Sequence, residues 1–326
     1  MKRRNLLPLF TGCLLAMQAF AQEPSAPSAR SGYAMAYDAG RAVVVLFGGQ
    51  DSAGTRLSDT WEWSYGKWTR IAVQGPGARI NASAGYETYQ KAVFLFGGST
   101  DSGAQSDLWT YDGKSWTKMT PAISPPARQL GLMAFDKAKQ EFVLFGGMSA
   151  TRQPLGDTWI LKAGEWKQSM ATGPSPRASA CMAYQDDLAS VFMYGGYVND
   201  HAINELWSWK NGVWKNLTTP AGPPRIHASL SYDQTRSRML LFGGFNDSVR
   251  TNELWEYADQ QWSEILSRDN NIPSPRAEHR SVYVPGYGLF IFGGVIGPDP
   301  NTRRRGQDTW IYNAKKWTRF NLPVFH

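Results

Sequence analysis

A glycine pair recurs six times along this chain at nearly constant spacing. Each pair ends a short apolar run rich in strand-forming residues, such as VVVLFGG or LFIFGG. The intervals between successive pairs are 49, 49, 49, 48 and 50 residues. The second glycines of the pairs are Gly49, Gly98, Gly147, Gly196, Gly244 and Gly294. Six copies at one period indicate a repeat architecture.

Two tryptophans follow every glycine pair, and the second always comes seven residues after the first. The first set is Trp61, Trp109, Trp159, Trp207, Trp255 and Trp310, and the second set is Trp68, Trp116, Trp166, Trp214, Trp262 and Trp317. In the second repeat, Asp112 and Gly113 predict a two-residue hairpin turn. A turn centred there predicts that Trp109 and Trp116 lie opposite one another on paired strands.

Each repeat divides into four predicted strands, A to D, separated by turn residues. Strand A follows an arginine and is rich in small residues, strand B ends in the glycine pair, and strands C and D carry the tryptophans. Small residues suit the centre of a ring and tryptophans suit the wide outer part of a wedge. The sequence therefore predicts an all-β fold, a six-bladed β-propeller with four antiparallel strands per blade. The predicted blades span approximately 30–73, 79–121, 128–170, 177–219, 225–268 and 276–322.

The repeat resembles the kelch repeat, which occurs in six-bladed propellers and in the propeller domain of galactose oxidase. The matching features are the PR or AR opening, the apolar strand into GG, the acid before the first tryptophan, and the second tryptophan. The resemblance implies that ligands meet the residue after GG and the residues just after the strand-A arginine. It implies no single activity, because kelch propellers serve many roles.

The first 21 residues read as a secretory signal peptide. Lys2, Arg3 and Arg4 precede an apolar stretch, and Ala19 and Ala21 form an A-x-A site that predicts cleavage before Gln22. We expect residues 22–326 to be one propeller domain, soluble and monomeric, in the periplasm or outside the cell. The apolar run before Cys13 is too short to favour a lipid anchor, and no later segment predicts a membrane span.

Charge and cysteine content narrow the function classes. Loss of the three leader cations takes the formal net charge from +7 to +4, which does not favour a nucleic-acid partner. Cys181 is then the sole cysteine, so no internal disulfide is expected. Galactose oxidase binds copper through two His and two Tyr, one of them cross-linked to Cys, and this set cannot be matched to the sequence. We predict no metal and no cofactor.

Features present in all blades are interpreted as scaffold. The glycine pairs are expected to allow unusual backbone angles and close blade packing. Six arginines and six acids in register predict one buried ion pair per blade. The arginines are Arg30, Arg79, Arg128, Arg177, Arg225 and Arg276, and the acids are Asp59, Asp107, Asp157, Glu205, Glu253 and Asp308.

Features that differ between blades carry the predicted function. The B–C loops and the D–A links should share one face, here called the loop face, where rigid blades present variable segments. Met148, Tyr197, Phe245 and Val295 follow the glycine pairs of blades 3 to 6 and predict an apolar and aromatic sector suited to a sugar ring or a peptide anchor. The alternative is ordinary loop packing. Arg303, Arg304 and Arg305 in the longest loop predict either a solvated charge run or an anion contact.

Blade 6 breaks the strand-A pattern most strongly. Glu278, His279 and Arg280 stand where other blades carry mainly small or apolar residues, His227 lies one blade away, and Asn81 shares the repeat position of His227 and Glu278. Together they form a candidate acid–base site. The alternative is a structural role for His279 near the arginine, with Arg280 reaching Glu278 or solvent.

Three functions follow from these patterns. The first is an exported binding module that recognises a glycan or a protein on the loop face. The second is a sugar-modifying enzyme, similar to the exported kelch-type N-acetylneuraminate epimerase (a mutarotase), at the blade 5/6 cluster. The third is a structural component of the envelope or extracellular space.

Overall fold

The computed structural model describes residues 24–218, 222–267 and 270–320. The predicted signal peptide and Cys13 lie outside these ranges. Throughout the described chain the regular elements are β-strands, β1 to β32 in sequence order. In those ranges no helix is long and apolar enough to cross a membrane.

The strands form six blades of four antiparallel strands, as the repeat predicted. In each blade the strands A to D pair in chain order. Blade 1 consists of β2 (Ala34–Asp38), β3 (Val43–Asp51), β4 (Arg56–Ser64) and β5 (Lys67–Ile71). Blade 2 consists of β6 (Ser83–Glu87), β7 (Ala92–Phe96), β10 (Leu108–Tyr111) and β11 (Trp116–Met119). Blade 3 consists of β13 (Leu132–Asp136), β14 (Glu141–Ser149), β15 (Pro154–Lys162) and β16 (Glu165–Ser169). Blade 4 consists of β17 (Cys181–Gln185), β18 (Ser190–Tyr194), β21 (Leu206–Lys210) and β22 (Val213–Asn216). Blade 5 consists of β23 (Ser229–Asp233), β24 (Arg238–Phe242), β25 (Leu254–Ala258) and β26 (Gln261–Glu264). Blade 6 consists of β28 (Arg280–Val284), β29 (Gly288–Phe292), β31 (Thr309–Tyr312) and β32 (Trp317–Phe320).

Short additional strands lie on the loop face. They are β1 (Arg30–Ser31), β8 (Ser99–Thr100), β9 (Gly103–Ala104), β12 (Arg128–Gln129), β19 (Tyr197–Val198), β20 (His201–Ala202), β27 (Arg276–Ala277) and β30 (Val295–Ile296). The A strands of neighbouring blades contact each other around a closed circle, β2–β6–β13–β17–β23–β28–β2. Strand A therefore lines the axis, as its small residues predicted.

The repeated arginine and acid form the predicted ion pair inside every blade. The nitrogen–oxygen distances are 2.6–2.9 Å in five blades, and Arg225 pairs with Glu253 in the same way. The first tryptophan of each blade donates its Nε1–H to the same acid at 2.6–2.9 Å. Since the acid satisfies both groups, these three residues of the repeat act as one buried unit.

Burial and hydrogen bonding oppose each other at these acids. In blade 1, burial works to raise the pKa of Asp59, but hydrogen bonds from Arg30 and Trp61 and the Arg30 charge outweigh it and lower the pKa. The Asp308 pKa is lowered in the same way beside Arg276. Asp59 and Asp308 are thus held ionised against their arginines.

The glycine pairs lie at the junctions between blades, as predicted. The second glycine donates its N–H to the carbonyl of the next blade's arginine at 2.8–2.9 Å in all six junctions. Both glycines of every pair have positive φ, and a Cβ on Gly195 would stand 2.4 Å from the Arg225 carbonyl oxygen. Only glycine allows both the backbone angle and this approach.

The second tryptophan packs on the preceding blade, and its predicted partner was wrong. Tyr111 lies opposite Trp116, with the rings stacked at 5.1 Å, while Trp109 lies opposite Lys118. The reason is that Asp112 accepts hydrogen bonds from the N–H groups of Lys114 and Ser115 at 2.8 Å. These bonds close a four-residue loop in place of the predicted two-residue turn.

The ring closes between blades 6 and 1 by the same contacts as the other junctions. Gly294 donates its N–H to the Arg30 carbonyl at 2.9 Å, and Trp68 donates to the Thr309 hydroxyl at 3.0 Å. Among the described residues, the four strands of blade 1 and the four of blade 6 each come from one continuous segment. Side-chain packing around Trp68 and Phe292 at this junction supplies the closure.

Candidate functional site

Six residues at equivalent positions form a collar around the loop-face end of the axis. Each lies two residues after the repeated arginine and has φ between 53° and 65°. They are Gly32, Asn81, Leu130, Ser179, His227 and Glu278. Backbone N–H groups of collar residues donate to the carbonyl of the collar residue in the preceding blade at 2.6–3.2 Å in five of the six blades. The strained backbone is therefore a property of the repeat, while the side chains vary.

Two sets of mouth residues pair one to one around the collar. The residue after each repeated arginine lies opposite the residue after the glycine pair on a neighbouring strand. The pairs are Ser31–Gln50, Ile80–Ser99, Gln129–Met148, Ala178–Tyr197, Ile226–Phe245 and Ala277–Val295. The positions taken from the kelch resemblance thus form one surface around the collar, here called the rim.

The accessible part of the predicted apolar sector lies on the loops of blades 3 to 5, because Val295 of blade 6 is buried. Tyr197 is 37% exposed and its hydroxyl is 3.2 Å from a carboxylate oxygen of Asp200. Met148 and Phe245 are half-buried. The N–H of Ala202 donates to both carboxylate oxygens of Asp247, at 2.8 and 3.0 Å, and so joins the loops of blades 4 and 5 into one surface.

The structure brings three of the four candidate acid–base residues together and separates the fourth. Glu278 and His227 are neighbours in the collar, joined by the Glu278 N–H and the His227 carbonyl at 3.1 Å. Arg280 lines the channel below them. His279 is fully buried between blades 5 and 6, with Nε2 2.9 Å from the Ser229 hydroxyl and its ring edge on Phe242.

The His227 imidazole is held in its neutral form. Burial lowers its pKa, the neighbouring Glu278 carboxylate partly opposes this, and the Arg280 charge lowers it further. Burial also lowers the pKa of His279, reinforced by the charges of Arg276 and Arg280. A neutral imidazole beside a carboxylate can accept or donate a proton, so His227 and Glu278 have the chemistry of an acid–base pair.

Two polar side chains of the rim, Ser31 and Gln50, contact Glu278 and Arg305. Ser31 donates its hydroxyl to Glu278 Oε2 at 3.0 Å and accepts from Arg305 Nε at 3.2 Å. Arg305 also donates to Gln50 Oε1 at 2.7 Å. On the far side of the collar, Asn81 Nδ2 is 3.4 Å from Gln129 Oε1. Apart from their positions in the repeat, no sequence feature of Ser31 and Gln50 predicts these hydrogen bonds. The sequence therefore did not reveal their roles.

The predicted arginine run divides into two groups. Arg303 and Arg304 are exposed on the blade 6 loop, and Arg305 is half-buried against blade 1. The loop itself is ordered by Arg250 of blade 5, which is 7% exposed. Its guanidinium donates to the carbonyls of Gly297, Asp299, Pro300 and Thr302. Nothing in the sequence pattern predicts this role of Arg250.

The axial channel connects the collar with the A–B turns on the opposite face. It encloses about 610 Å³ and is lined by strand-A residues of all six blades. Small and hydroxylated side chains dominate the wall. They include Ala34, Ala84, Ala134, Ala183, Ser83, Ser179, Ser229, Ser231 and Ser281.

Metal and thiol chemistry find little support in the described residues. Across those ranges no group of three or more His, Cys, Asp or Glu side chains is placed to hold a metal ion. Cys181 is buried, and burial raises the pKa of its thiol to about 12, so the thiolate is disfavoured at neutral pH.

Comparison with known proteins agrees with the geometry. The KLHDC2/KLHL20/DRC7 Kelch-repeats domain matches twice, over residues 9–167 and 161–324. The chain belongs to the kelch-repeat family. This family assignment points to a protein-interaction module rather than to one chemistry.

Curated relatives match this chain over part of much larger proteins. The chain is 39% identical over 170 residues to the flagellar outer arm dynein alpha chain of Chlamydomonas reinhardtii, covering 47% of this chain and 4% of the relative. It is 30% identical over 139 residues to an F-box/kelch-repeat protein of Arabidopsis thaliana, covering 37% and 28%. It is 27% identical over 150 residues to the serine/threonine-protein phosphatase BSL2 of the same plant, covering 41% and 14%. The chain thus spans a minor part of these relatives' length.

Proposed function

We propose that this kelch propeller is an exported interaction module that binds a protein partner on its loop face. The observation that carries the proposal is the half-exposed apolar sector around Tyr197 and Phe245, on loops that a rigid ring holds in place. Val249, at the tip of the blade 5 loop, is 41% exposed and extends the same surface. Aromatic anchors on a fixed rim are typical of binding surfaces.

Charge supports the same face. Arg303 and Arg304 are exposed beside the rim, and Asp200 and Asp247 are presented on the loops of blades 4 and 5. Such a surface carries an apolar centre and a charged periphery, which is the arrangement that interfaces use to combine affinity with orientation. The A–B and C–D turns on the opposite face are only two to four residues long in every blade.

Site-specific photo-crosslinking in the cells that make the protein tests the proposal. A photoreactive residue at position Tyr197 should give a discrete adduct, and Phe245→Ala should reduce its yield at least fivefold. Tyr65, which is 90% exposed on the C–D turn of blade 1, is the matched control and should give none. Equal adducts from both positions, or an adduct from Tyr65 alone, contradict the proposed face. A glycan array on the same variants identifies a carbohydrate partner if the adduct is not protein.

Export is part of this proposal and rests on residues 1–21. Intact-mass measurement of the protein purified from its own cells should find Gln22 as the first residue. A chain that retains Met1 contradicts export.

A second candidate is acid–base chemistry on a sugar, favoured by the contact between Glu278 and His227 at the collar. This would resemble the N-acetylneuraminate epimerase reaction, in which sugar anomers interconvert by proton transfer. NMR of N-acetylneuraminate mutarotation decides between the candidates. Acceleration by the wild type that Glu278→Gln abolishes favours the enzyme, and a rate equal to background excludes this substrate.

A further inference from the structure

Arg280 is half-buried and, among the described residues, has neither the counter-ion nor the full set of hydrogen bonds that the buried arginines of the ring have. Each of the six repeated arginines pairs with the acid of its own blade, and Arg250 is surrounded by loop carbonyls. Within the described chain, the Arg280 guanidinium makes one hydrogen bond, from Nη1 to the His279 carbonyl at 3.4 Å. A guanidinium has five N–H donors, so most of its hydrogen-bonding capacity faces the channel.

The groups around Arg280 do not supply the missing charge. Burial raises the pKa of the Cys181 thiol to about 12, and burial raises the pKa of the Tyr33 hydroxyl as well, so both are neutral at pH 7. His227 is neutral for the reasons given above. Glu278 is close enough to favour the Arg280 charge, but its hydrogen bond comes from Ser31, and no ion pair joins it to Arg280 among the described residues.

Burial acts on Arg280 itself and lowers the pKa of its guanidinium. An unpaired charge with reduced hydration is costly, and the cost falls when an anion enters. The channel is large enough for this: its volume of about 610 Å³ falls in the range of roughly 300–1,000 Å³ found for small-molecule sites.

We propose that the axial channel binds a small hydroxylated monocarboxylate, with Arg280 holding the carboxylate. The planar guanidinium fork matches the two oxygens of a carboxylate. A dianion such as phosphate fits less well, because one cation would face two negative charges near Glu278. Ser231 and Ser281 also line the wall; their hydroxyls hydrogen-bond each other at 2.7 Å, and each oxygen keeps acceptor capacity for a hydroxyl of the ligand.

The channel lining reaches the A–B turns of all six blades and, at the loop face, three of the collar residues, Leu130, Ser179 and His227. His227 and Ser179 belong both to the collar and to the channel wall, so a ligand that passes them reaches Arg280. At the opposite end, Lys137 and Asp186 lie at the channel mouth and pair with each other at 2.8 Å. Arg280 is therefore the unpaired cation of the described lining. The inference needs neither the protein partner nor catalysis.

Calorimetric titration of the purified protein tests the site, with D-glucuronate as the carboxylate probe and D-glucose as its neutral counterpart. Sodium chloride keeps the ionic strength constant. We expect glucuronate and acetate to bind and glucose to bind at least tenfold more weakly. Arg280→Met should weaken glucuronate binding at least tenfold, and Arg280→Lys, which keeps the charge and loses the fork, should give an intermediate affinity.

Arg303→Met is the matched control, because it removes one loop-face cation outside the channel. Its affinity for glucuronate should stay within twofold of the wild type. The proposal is overturned if no carboxylate binds, if glucose binds as well as glucuronate, if inorganic phosphate binds more tightly than glucuronate, or if Arg280→Met binds like the wild type. Circular dichroism of each variant shows whether the ring is intact, and Arg280→Gln replaces Arg280→Met if the latter fails to fold.

Discussion

Arg276 and Arg280 lie four residues apart at the start of blade 6, and their surroundings differ completely. Arg276 is fully buried and pairs with both oxygens of Asp308, at 3.0 and 2.9 Å. Arg280 lines the channel with one weak hydrogen bond to protein. An arginine at the position of Arg276 occurs in every blade, whereas an arginine at the position of Arg280 occurs only in blade 6. The comparison teaches that recurrence marks the scaffold and that a break in the repeat marks a surface free to bind something else.

The largest effect should come from breaking the Arg276 pair. Arg276→Met leaves the Asp308 carboxylate buried without its cation, which costs about 3–5 kcal/mol of unfolding free energy. Urea unfolding followed by tryptophan fluorescence measures it. A loss below about 1 kcal/mol would show that the repeated pair is not part of the scaffold.

Gly195 sharpens the comparison at the blade junctions. Gly195→Ala adds a Cβ 2.4 Å from the Arg225 carbonyl oxygen at φ +71°, and should cost about 3 kcal/mol. Gly286 is the control, since it has φ +81° and nothing within 4 Å of an added Cβ. Gly286→Ala should cost about 1 kcal/mol, the backbone strain alone. Equal losses at the two positions would refute the role given to blade contact.

Acid should weaken the ring through its buried imidazoles. The pKa of His279 is lowered well below 6.5 in the folded protein, so below pH 6.5 the unfolded chain binds the proton and the folded one does not. Stability is therefore unaffected above this range and falls as pH drops from about 6.5, by about 1 kcal/mol per pH unit for each such histidine.

The variant His279→Gln should reduce this slope between pH 6.5 and 5, with His227 supplying the remainder. The lowered pKa values of Asp59 and Asp308 act in a separate window, because their stabilisation is lost only as pH falls below about 4. Unfolding curves at half-unit steps separate the two. An unchanged slope in His279→Gln would contradict the burial assigned to it.

The smallest effect distinguishes two tryptophans at equivalent positions. Trp214 donates its Nε1–H to the Thr158 hydroxyl of the preceding blade at 3.0 Å. For Trp166, the equivalent position in the preceding blade is Leu108, which has no hydroxyl. The Trp166 Nε1 therefore has no partner among the described residues. Trp214→Phe should therefore cost about 1 kcal/mol more than Trp166→Phe. Thermal unfolding of the pair measures this difference, and equal shifts in Tm would argue against the hydrogen bond.

The repeat period was sufficient to predict nearly all of the fold. Six copies of arginine, glycine pair, acid and tryptophan predicted the blades, the ion pairs and the place of strand A, because each feature makes the same contact in every blade. The C–D register was wrong because Asp112 caps a longer loop, which local turn statistics do not reveal. The cluster of His227, Glu278 and Arg280 was partly predictable, since Glu278 and Arg280 break the strand-A pattern.

Long-range contacts could not be read from the repeat. His279 was grouped with its neighbours in sequence, but alternation along the chain sends it between blades and leaves Arg280 in the channel. Arg250 and Arg305 reach neighbouring blades from loops of unequal length, and no periodicity fixes where such side chains end.

One pair of measurements on Arg280→Met tests the division between scaffold and site most directly. The unfolding free energy should stay within about 1 kcal/mol of the wild type, since the guanidinium has no ion pair to lose. Glucuronate binding should weaken at least tenfold. A loss of stability close to that of Arg276→Met, with glucuronate binding unchanged or absent in both proteins, would show that Arg280 is one more piece of the scaffold.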